Sequence, residues 1–349
     1  MTVIDLRSDT LTKPTAGMLK AMFAAEVGDD VFAEDPTVRR LEQVTAELLG
    51  MEQALFVPSG TMANQIAIAL HTRPGDAVIT EAGAHCVVFE AGASAALSGV
   101  QFELIPRSDL LSDQAIDAAF RGDALHTPET TLLVVENTHN VGGGRTLDVQ
   151  NMNRIAAKGR ELKLALHCDG ARLWHAAAAL GARECDLVAG FTTVAVCFSK
   201  GLGAPAGSAL CGSAALMHRA RKLRKMLGGG MRQVGYLAAA GLYALEHHRH
   251  RLQDDHRQAL VLATGLRQLQ AQGAAIEVNY PANGSNMVYL RFGQGQTTDH
   301  VRGLAQRGVR MIDMGGGWIR AVFHLDVADD GASGALRAVE GIVTAGLGR

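Results

Sequence analysis

The sequence predicts an α/β fold: a large domain on a mainly parallel sheet, followed by a small C-terminal α+β domain. Three observations carry that prediction. Short apolar, β-branched runs alternate with helical patterns through the first two thirds of the chain, as buried parallel strands and their crossover helices do. The pattern changes near Arg232, where a long helical segment leads into the polar stretch 247–258, HHRHRLQDDHRQ. The length of 349 residues favours one large domain plus a smaller one over a single compact core.

In chain order, Ala77–Ile79, Thr131–Val135, Leu162–His167 and Thr193–Phe198 read as buried strands, being short and apolar. Met62–His71, Gln150–Glu161 and Leu173–Leu180 carry helical periodicity. A long helix is expected over Arg232–His248, then a helix over Leu260–Gln272 and a strand over Ser285–Phe292. A helix over Asp299–Arg307, a strand over Trp318–Val322 and a last helix from about Ala332 follow. The expected division is an N-terminal arm (1–12), a large domain (13–248) and a small domain (249–349).

Hydrophobic residues make up 48% and charged residues 19% of the chain, which suits a protein with much surface buried, as in an oligomer. A net charge of -2 gives no reason to expect nucleic acid or an anionic membrane as a partner. The five cysteines (Cys86, Cys168, Cys185, Cys197, Cys211) are odd in number and form no CxxC pair, so neither a disulfide framework nor a zinc site is expected. The opening MTVIDLRSDTLTKP has no apolar signal region, and no apolar run approaches a membrane span. A cytoplasmic protein is expected. His247, His248 and His250 lack chelating spacing and read as a solvated helix end, with no metal.

Several constellations could carry chemistry. In Phe198-Ser199-Lys200-Gly201-Leu202-Gly203, a lysine follows a buried strand. Burying an amine is costly, but desolvation favours the neutral, nucleophilic form that makes a Schiff base. A lysine snorkelling to water is the competing reading. The glycines after it would let backbone approach a ligand. In His167-Cys168-Asp169-Gly170-Ala171-Arg172, an aspartate ends a strand where α/β sheets bind ligands. It could pair with a pyridine nitrogen and keep it protonated, or simply cap the next helix. Ser59-Gly60-Thr61 opens a helix, whose N–H groups and dipole suit a phosphate; plain N-capping is the alternative. His85 could stack on a ring and act as an acid or base, or be structural. Ser8, Arg172 and Arg320 could clamp a carboxylate, a guanidinium being suited to bidentate pairing. Together these residues point to pyridoxal 5'-phosphate (PLP).

The ordered series Ile4-Asp5-Leu6-Arg7-Ser8-Asp9-Thr10, Gly28-Asp29-Asp30-Val31, Asp35-Pro36-Thr37-Val38, PSGTMAN (58–64), ENTHN (136–140), DGAR (169–172), SKGLG (199–203) and GGGMRQ (228–233) resembles the L-threonine aldolases. These are fold-type I PLP enzymes related to the β-eliminating lyases. The resemblance runs from residue 4 to about residue 326. It implies the fold-type I PLP-dependent transferase fold, and cleavage of L-threonine, L-allo-threonine or a related β-hydroxy-α-amino acid to glycine and an aldehyde. It further implies Lys200 as the Schiff-base lysine, Asp169 as the pyridinium partner and His85 as the ring-stacking histidine. Arg172 would lie between the cofactor's phenolic oxygen and the substrate carboxylate. Ser59, Gly60 and Thr61 would form the phosphate cup, with Arg232 reaching the phosphate of a neighbouring subunit. Ser8 and Arg320 would complete the carboxylate clamp, His126 would lie near the β-hydroxyl, and Lys225 would be another basic residue near the site. A homotetramer of two tight dimers is implied.

Three departures leave the side-chain preference and the threo/erythro choice open. Cys86-Val87-Val88 follows His85 where relatives often have an aromatic residue, Val141-Gly142-Gly143-Gly144-Arg145 follows ENTHN in place of a Gly-Lys-Val stretch, and Phe32 stands where tyrosine is common. A phenylserine aldolase, a β-eliminating lyase of the same fold type, and a PLP-binding protein without activity are the competing readings.

Overall fold

The computed structural model describes residues 3–347. Its centre is a seven-stranded sheet. Across the sheet lie Gln53–Val57, Ser208–Gly212, Thr193–Cys197, Ala165–Gly170, Thr130–Glu136, Ala77–Glu81 and Gln101–Ile105. Every pairing is parallel except those of Ser208–Gly212, which runs against both neighbours. The fold is therefore α/β with a mainly parallel sheet. Thr193–Cys197 is buried at every position, as expected of a central strand covered on both faces.

The strand expected from Leu162 starts at Ala165, because Leu162 ends the preceding helix and Lys163 turns the chain in the left-handed region. Three strands of this sheet lie outside the runs expected from the sequence: Gln53–Val57, Gln101–Ile105 and Ser208–Gly212. The long helix begins at Gly235, not Arg232, and ends at His247. The next helix, Leu252–Ala271, starts inside the polar stretch, where Leu252, Asp255, Ala259, Leu262 and Leu266 make its buried face. His248 is buried there and bonds through Nδ1 to the Leu202 carbonyl at 2.6 Å, so this histidine is no solvated helix end.

The C-terminal part is a four-stranded antiparallel sheet ordered Ile312–Asp313, Trp318–Val322, Met287–Phe292 and Ile276–Asn279. The helices Leu252–Ala271 and Gly331–Leu347 pack together beside it. The N-terminal residues join this part: Ile4–Asp5 pairs with Val309–Arg310, and Leu6 lies in the same apolar core as Leu262 and Ile319. The main sheet has its own core, from Met18 to Leu252.

Asp35 shows how a short motif fixes the architecture. Its buried carboxylate accepts four backbone N–H groups, from Gly28 (3.3 Å), Thr37 (3.1 Å), Val38 (3.0 Å) and Gly235 (2.9 Å). It caps the helix Pro36–Leu49, with proline at the first turn, and holds the start of Gly235–His247 against it. Asp35→Ala should orphan these donors and lower the unfolding free energy by about 3–5 kcal/mol, read from urea denaturation. Asp35→Asn should lose less.

Candidate functional site

The C-terminal ends of the parallel strands gather the titratable groups, where open α/β sheets bind ligands. Glu136 and Asp169 end or nearly end adjacent strands, His85 follows Ala77–Glu81, and Lys200 follows Thr193–Cys197. Asp169 is buried; its Oδ2 accepts Asn64 Nδ2 at 2.8 Å and its Oδ1 accepts the Ala171 N–H at 3.1 Å. Burial pushes its pKa up, but His85, Lys200, Asn64 and His167 together bring it below the ordinary carboxylate value. Asp169 is therefore an anion. Beside it, Glu136 is pushed up to about 7 by burial and by Asp169. Glu136 holds the backbone N–H of His85 (2.9 Å) and of Asn140 (2.8 Å).

The half-buried His85 ring bonds through Nδ1 to Glu90 at 2.8 Å. Burial lowers its pKa, but the Glu90 bond and the charges of Asp169 and Glu90 raise it further, to a net upward shift. Ligand atoms of His85, Glu90 and Asp169 lie within 4.8 Å of one another. Glu90 and Asp169 share the Asn64 amide, and Glu90 also takes His85 and Gln65. Asn64 and the His85–Glu90 bond thus tie the three into one hydrogen-bonded network.

Arg172 is buried and bidentate to Asp9, Nε to Oδ2 at 2.8 Å and Nη2 to Oδ1 at 2.6 Å. Burial would raise the Asp9 pKa; Arg172, with His175 and Lys200, overcomes this and holds it low. Thr12 Oγ1 lies 3.0 Å from the carbonyls of both Asp9 and Lys200, pinning the N-terminal segment to the lysine turn. Arg320 bonds to Asn140 Oδ1 (2.7 Å) and the Arg7 carbonyl (3.1 Å), while its buried Nε has no partner. Burial lowers the Arg320 pKa, and Arg172 nearby lowers it further. Two buried guanidiniums that repel each other, one with a free donor, make a place for an anion. Ser8 stands between Arg7 and Asp9; its Oγ caps a short turn by accepting Thr10 N–H.

Ser59 caps the helix Gly60–His71, its Oγ accepting Met62 N–H. The N–H groups of Gly60 and Thr61 make no hydrogen bond among the described residues. The helix that offers them also carries Asn64, one turn on, which holds Asp169. The glycines near Lys200 serve packing more than ligand approach. A Cβ at Gly201 would overlap the His175 ring, one at Gly203 would come within 2.9 Å of Leu325, and one at Gly60 within 2.9 Å of Cys197 Sγ.

Lys200, Asp169, His85, Arg172 and Arg320 thus come together in one chain, with Gly60 and Thr61 close by, while Ser8 adjoins Asp9 in the chain and its hydroxyl bonds to Thr10. Three expected residues do not join them. His126 is exposed in a turn before Thr130–Glu136, whose far end bears Glu136, a strand length of about 20 Å away. Arg232 is exposed and bonds to Asp29 at 3.0 Å. Lys225 is exposed on the last turn of Ala214–Met226. The structure adds Asp9, Asn64, Glu90, Asn140 and Tyr289 to the site. Tyr289 donates to the Asn140 carbonyl at 2.8 Å. Asp9, Asn64 and Asn140 lie inside motifs visible in the sequence, but only tertiary contacts reveal their partners.

The β-eliminating lyase family model matches residues 5–292. The chain belongs to the β-eliminating lyase family. Low-specificity L-threonine aldolase 1 of Arabidopsis thaliana is 42% identical over 332 residues, covering 93% of this chain and 92% of that protein. The low specificity L-threonine aldolase of Escherichia coli K12 is 39% identical, covering 93% and 95%. Among solved structures, Leishmania major threonine aldolase superposes with a TM-score of 0.82 at 22% identity, covering 97% of this chain and 99% of that one. The family member described here therefore has the fold-type I architecture of that structure. Its cluster also fits PLP: a buried guanidinium with one unpartnered N–H, an ionised buried aspartate, a lysine beside it and free helix N–H groups match the cofactor's chemistry.

Glu90→Gln removes the charge that raises His85. The His85 pKa, followed by NMR of its ring protons, should fall in that variant, while other histidines stay in place.

Proposed function

We propose that this protein is a PLP-dependent aldolase that cleaves the Cα–Cβ bond of L-threonine, L-allo-threonine or a related β-hydroxy-α-amino acid, giving glycine and an aldehyde. The observation that carries this reading is the buried Arg172–Arg320 pair set beside Lys200 and Asp169. The family membership and the names of the two relatives support it.

Lys200 would bind the cofactor covalently, Asp169 would meet its ring nitrogen, His85 would stack on the ring, and Ser59, Gly60 and Thr61 would receive the phosphate. Bound there, PLP supplies an electron sink for the charge left on Cα. The ionised Asp169 keeps a proton on the ring nitrogen. Ser8, Arg172 and Arg320 hold the substrate carboxylate, with Asp9 fixing the Arg172 fork. By fixing the carboxylate, that clamp would orient the substrate and so select which bond at Cα reacts. His85 is the candidate base for the β-hydroxyl proton: Glu90 occupies Nδ1, so Nε2 is the atom left to work.

His126, Lys225 and Arg232 are assigned to the site of a neighbouring subunit, Arg232 at the phosphate and His126 near the β-hydroxyl. Large apolar side chains exposed on one chain, among them Phe23, Phe32, Leu125 and Met226, support an oligomer, which we take to be a homotetramer of two tight dimers. No helix among the described residues is long and apolar enough to cross a membrane, and the cysteines are all free. Both features support a cytoplasmic enzyme.

Purified with PLP, Lys200→Ala should lose the adduct that borohydride fixes to the protein; an adduct retained would overturn the assignment. Assayed with threonine, allo-threonine, phenylserine and serine, the protein should release aldehyde and glycine. Ammonia and a keto acid would indicate β-elimination instead. Arg320→Ala should raise KM for threonine by roughly 10- to 100-fold, the loss of hydrogen bonds to a charged group.

A further inference from the structure

The helix Gly60–His71 carries two polar residues on the face it turns to the sheet. Asn64 and His71 stand two turns, about 10 Å, apart. Between them lie His167 and Thr193, paired across neighbouring strands and both fully buried. These side chains form an unbroken series. His71 Nε2 is 3.1 Å from Thr193 Oγ1, which is 3.0 Å from His167 Nδ1. His167 Nε2 is 3.1 Å from Asn64 Oδ1, and Asn64 Nδ2 is 2.8 Å from Asp169 Oδ2.

The direction of every proton in this series follows from one end. Asn64 faces two carboxylates, Asp169 and Glu90, so its NH2 points to them and its oxygen points to His167. His167 must then carry its proton on Nε2 and accept on Nδ1, and the Thr193 hydroxyl must donate to it. That leaves a Thr193 lone pair for His71 Nε2–H. Burial lowers both histidines to a pKa of about 4, so both are neutral near pH 7 and this arrangement stands. Each bond polarises the next toward Asp169.

We propose that His71, Thr193, His167 and Asn64 form a polarised hydrogen-bond chain that positions Asp169 and holds its negative charge, so that the proton shared with the cofactor's ring nitrogen stays on the ring. The four are positioning residues acting through Asp169. His167 and Asp169 are two residues apart on one strand and so share a face, which places the histidine directly behind the carboxylate. Buried neutral histidines, a threonine and an asparagine replace apolar packing here, and the series ends on the carboxylates of Asp169 and Glu90, of which Asp169 stands at the strand end. The inference rests on Asp169 meeting the ring nitrogen.

The test is a double-mutant cycle on PLP affinity, by equilibrium dialysis and cofactor absorbance. Thr193→Val keeps the shape and breaks the chain. It should raise the PLP Kd by about 3- to 10-fold, the worth of a buried hydrogen bond, and Thr193→Ser should restore it. In an Asp169→Asn background, Thr193→Val should cost nothing further. In the holoenzyme, Thr193→Val should also raise the pH midpoint of the visible band, because a less firmly protonated ring withdraws less charge from the lysine linkage. An equal loss in both backgrounds, or no loss in either, would overturn the chain. If Thr193→Val does not fold, His71→Leu opens the same chain at its half-buried end and is held to the same outcomes. Should Asp169→Asn alone leave PLP affinity and absorbance unchanged, the underlying assignment of Asp169 fails instead.

Discussion

A buried carboxylate must be compensated or it will take up a proton, and Asp169 is where this protein meets that demand. Removing a charge from water costs several kcal/mol or more unless opposite charge and hydrogen-bond donors replace the solvent. Here the replacements come from separate elements: Asn64 from the helix after the first sheet strand, His85 from the turn after another strand, and Lys200 from the strand next to the aspartate's own, with the neutral His167 acting through Asn64. None of these is a neighbour of Asp169 in a loop. The ionised state of one side chain is therefore a property of the assembled sheet, and the parallel topology, which delivers successive strand ends to one edge, is what makes it possible.

A second constraint couples this edge to the C-terminal part. Asp9 reaches from the N-terminal segment, whose Ile4–Asp5 pairs with Val309–Arg310, to the Arg172 guanidinium of the main sheet. Arg320 reaches back from the small sheet to Asn140 and the Arg7 carbonyl. The two guanidiniums thus belong to different cores yet lie close enough to disfavour each other's charge. An anion between them would relieve that repulsion and tie the two cores together. In the proposed reading, carboxylate recognition and the joining of the two parts would be the same electrostatic event.

Much of this was legible in the sequence. Lys200, Asp169 and Arg172 stand at strand ends whose apolar runs are plain, and their chemistry constrains their use. Asn64 lies inside the PSGTMAN motif, yet its task depends on two carboxylates that arrive from Glu90 and Asp169, far away in the chain. Asp9 likewise gains meaning only through Arg172. At Gly201, a glycine beside a lysine suggests room for a ligand, whereas the room is filled by His175. Local pattern identifies what a residue can do, and only packing decides what it faces. The same limit explains His248, whose polar neighbours in sequence suggest solvent although its ring is bonded to the Leu202 carbonyl in the interior.

His126, Lys225 and Arg232 sharpen the point from the other side. Arg232 and Lys225 gather with Asp29 and Val31 on an exposed patch, and Phe32 beside them keeps 70% of its surface in contact with solvent. A large aromatic ring and two cations are poorly explained there by the stability of one chain, since the Arg232–Asp29 pair is exposed and exposed pairs contribute at most about 1 kcal/mol. A second copy of the chain would cover the ring and desolvate the cations. Desolvated cations require an anion, and a phosphate at the N–H groups of Gly60 and Thr61 is one they could share across a subunit boundary. In the proposed oligomer, this surface would form half of a site, with the sheet edge around Asp169 of another copy as the other half.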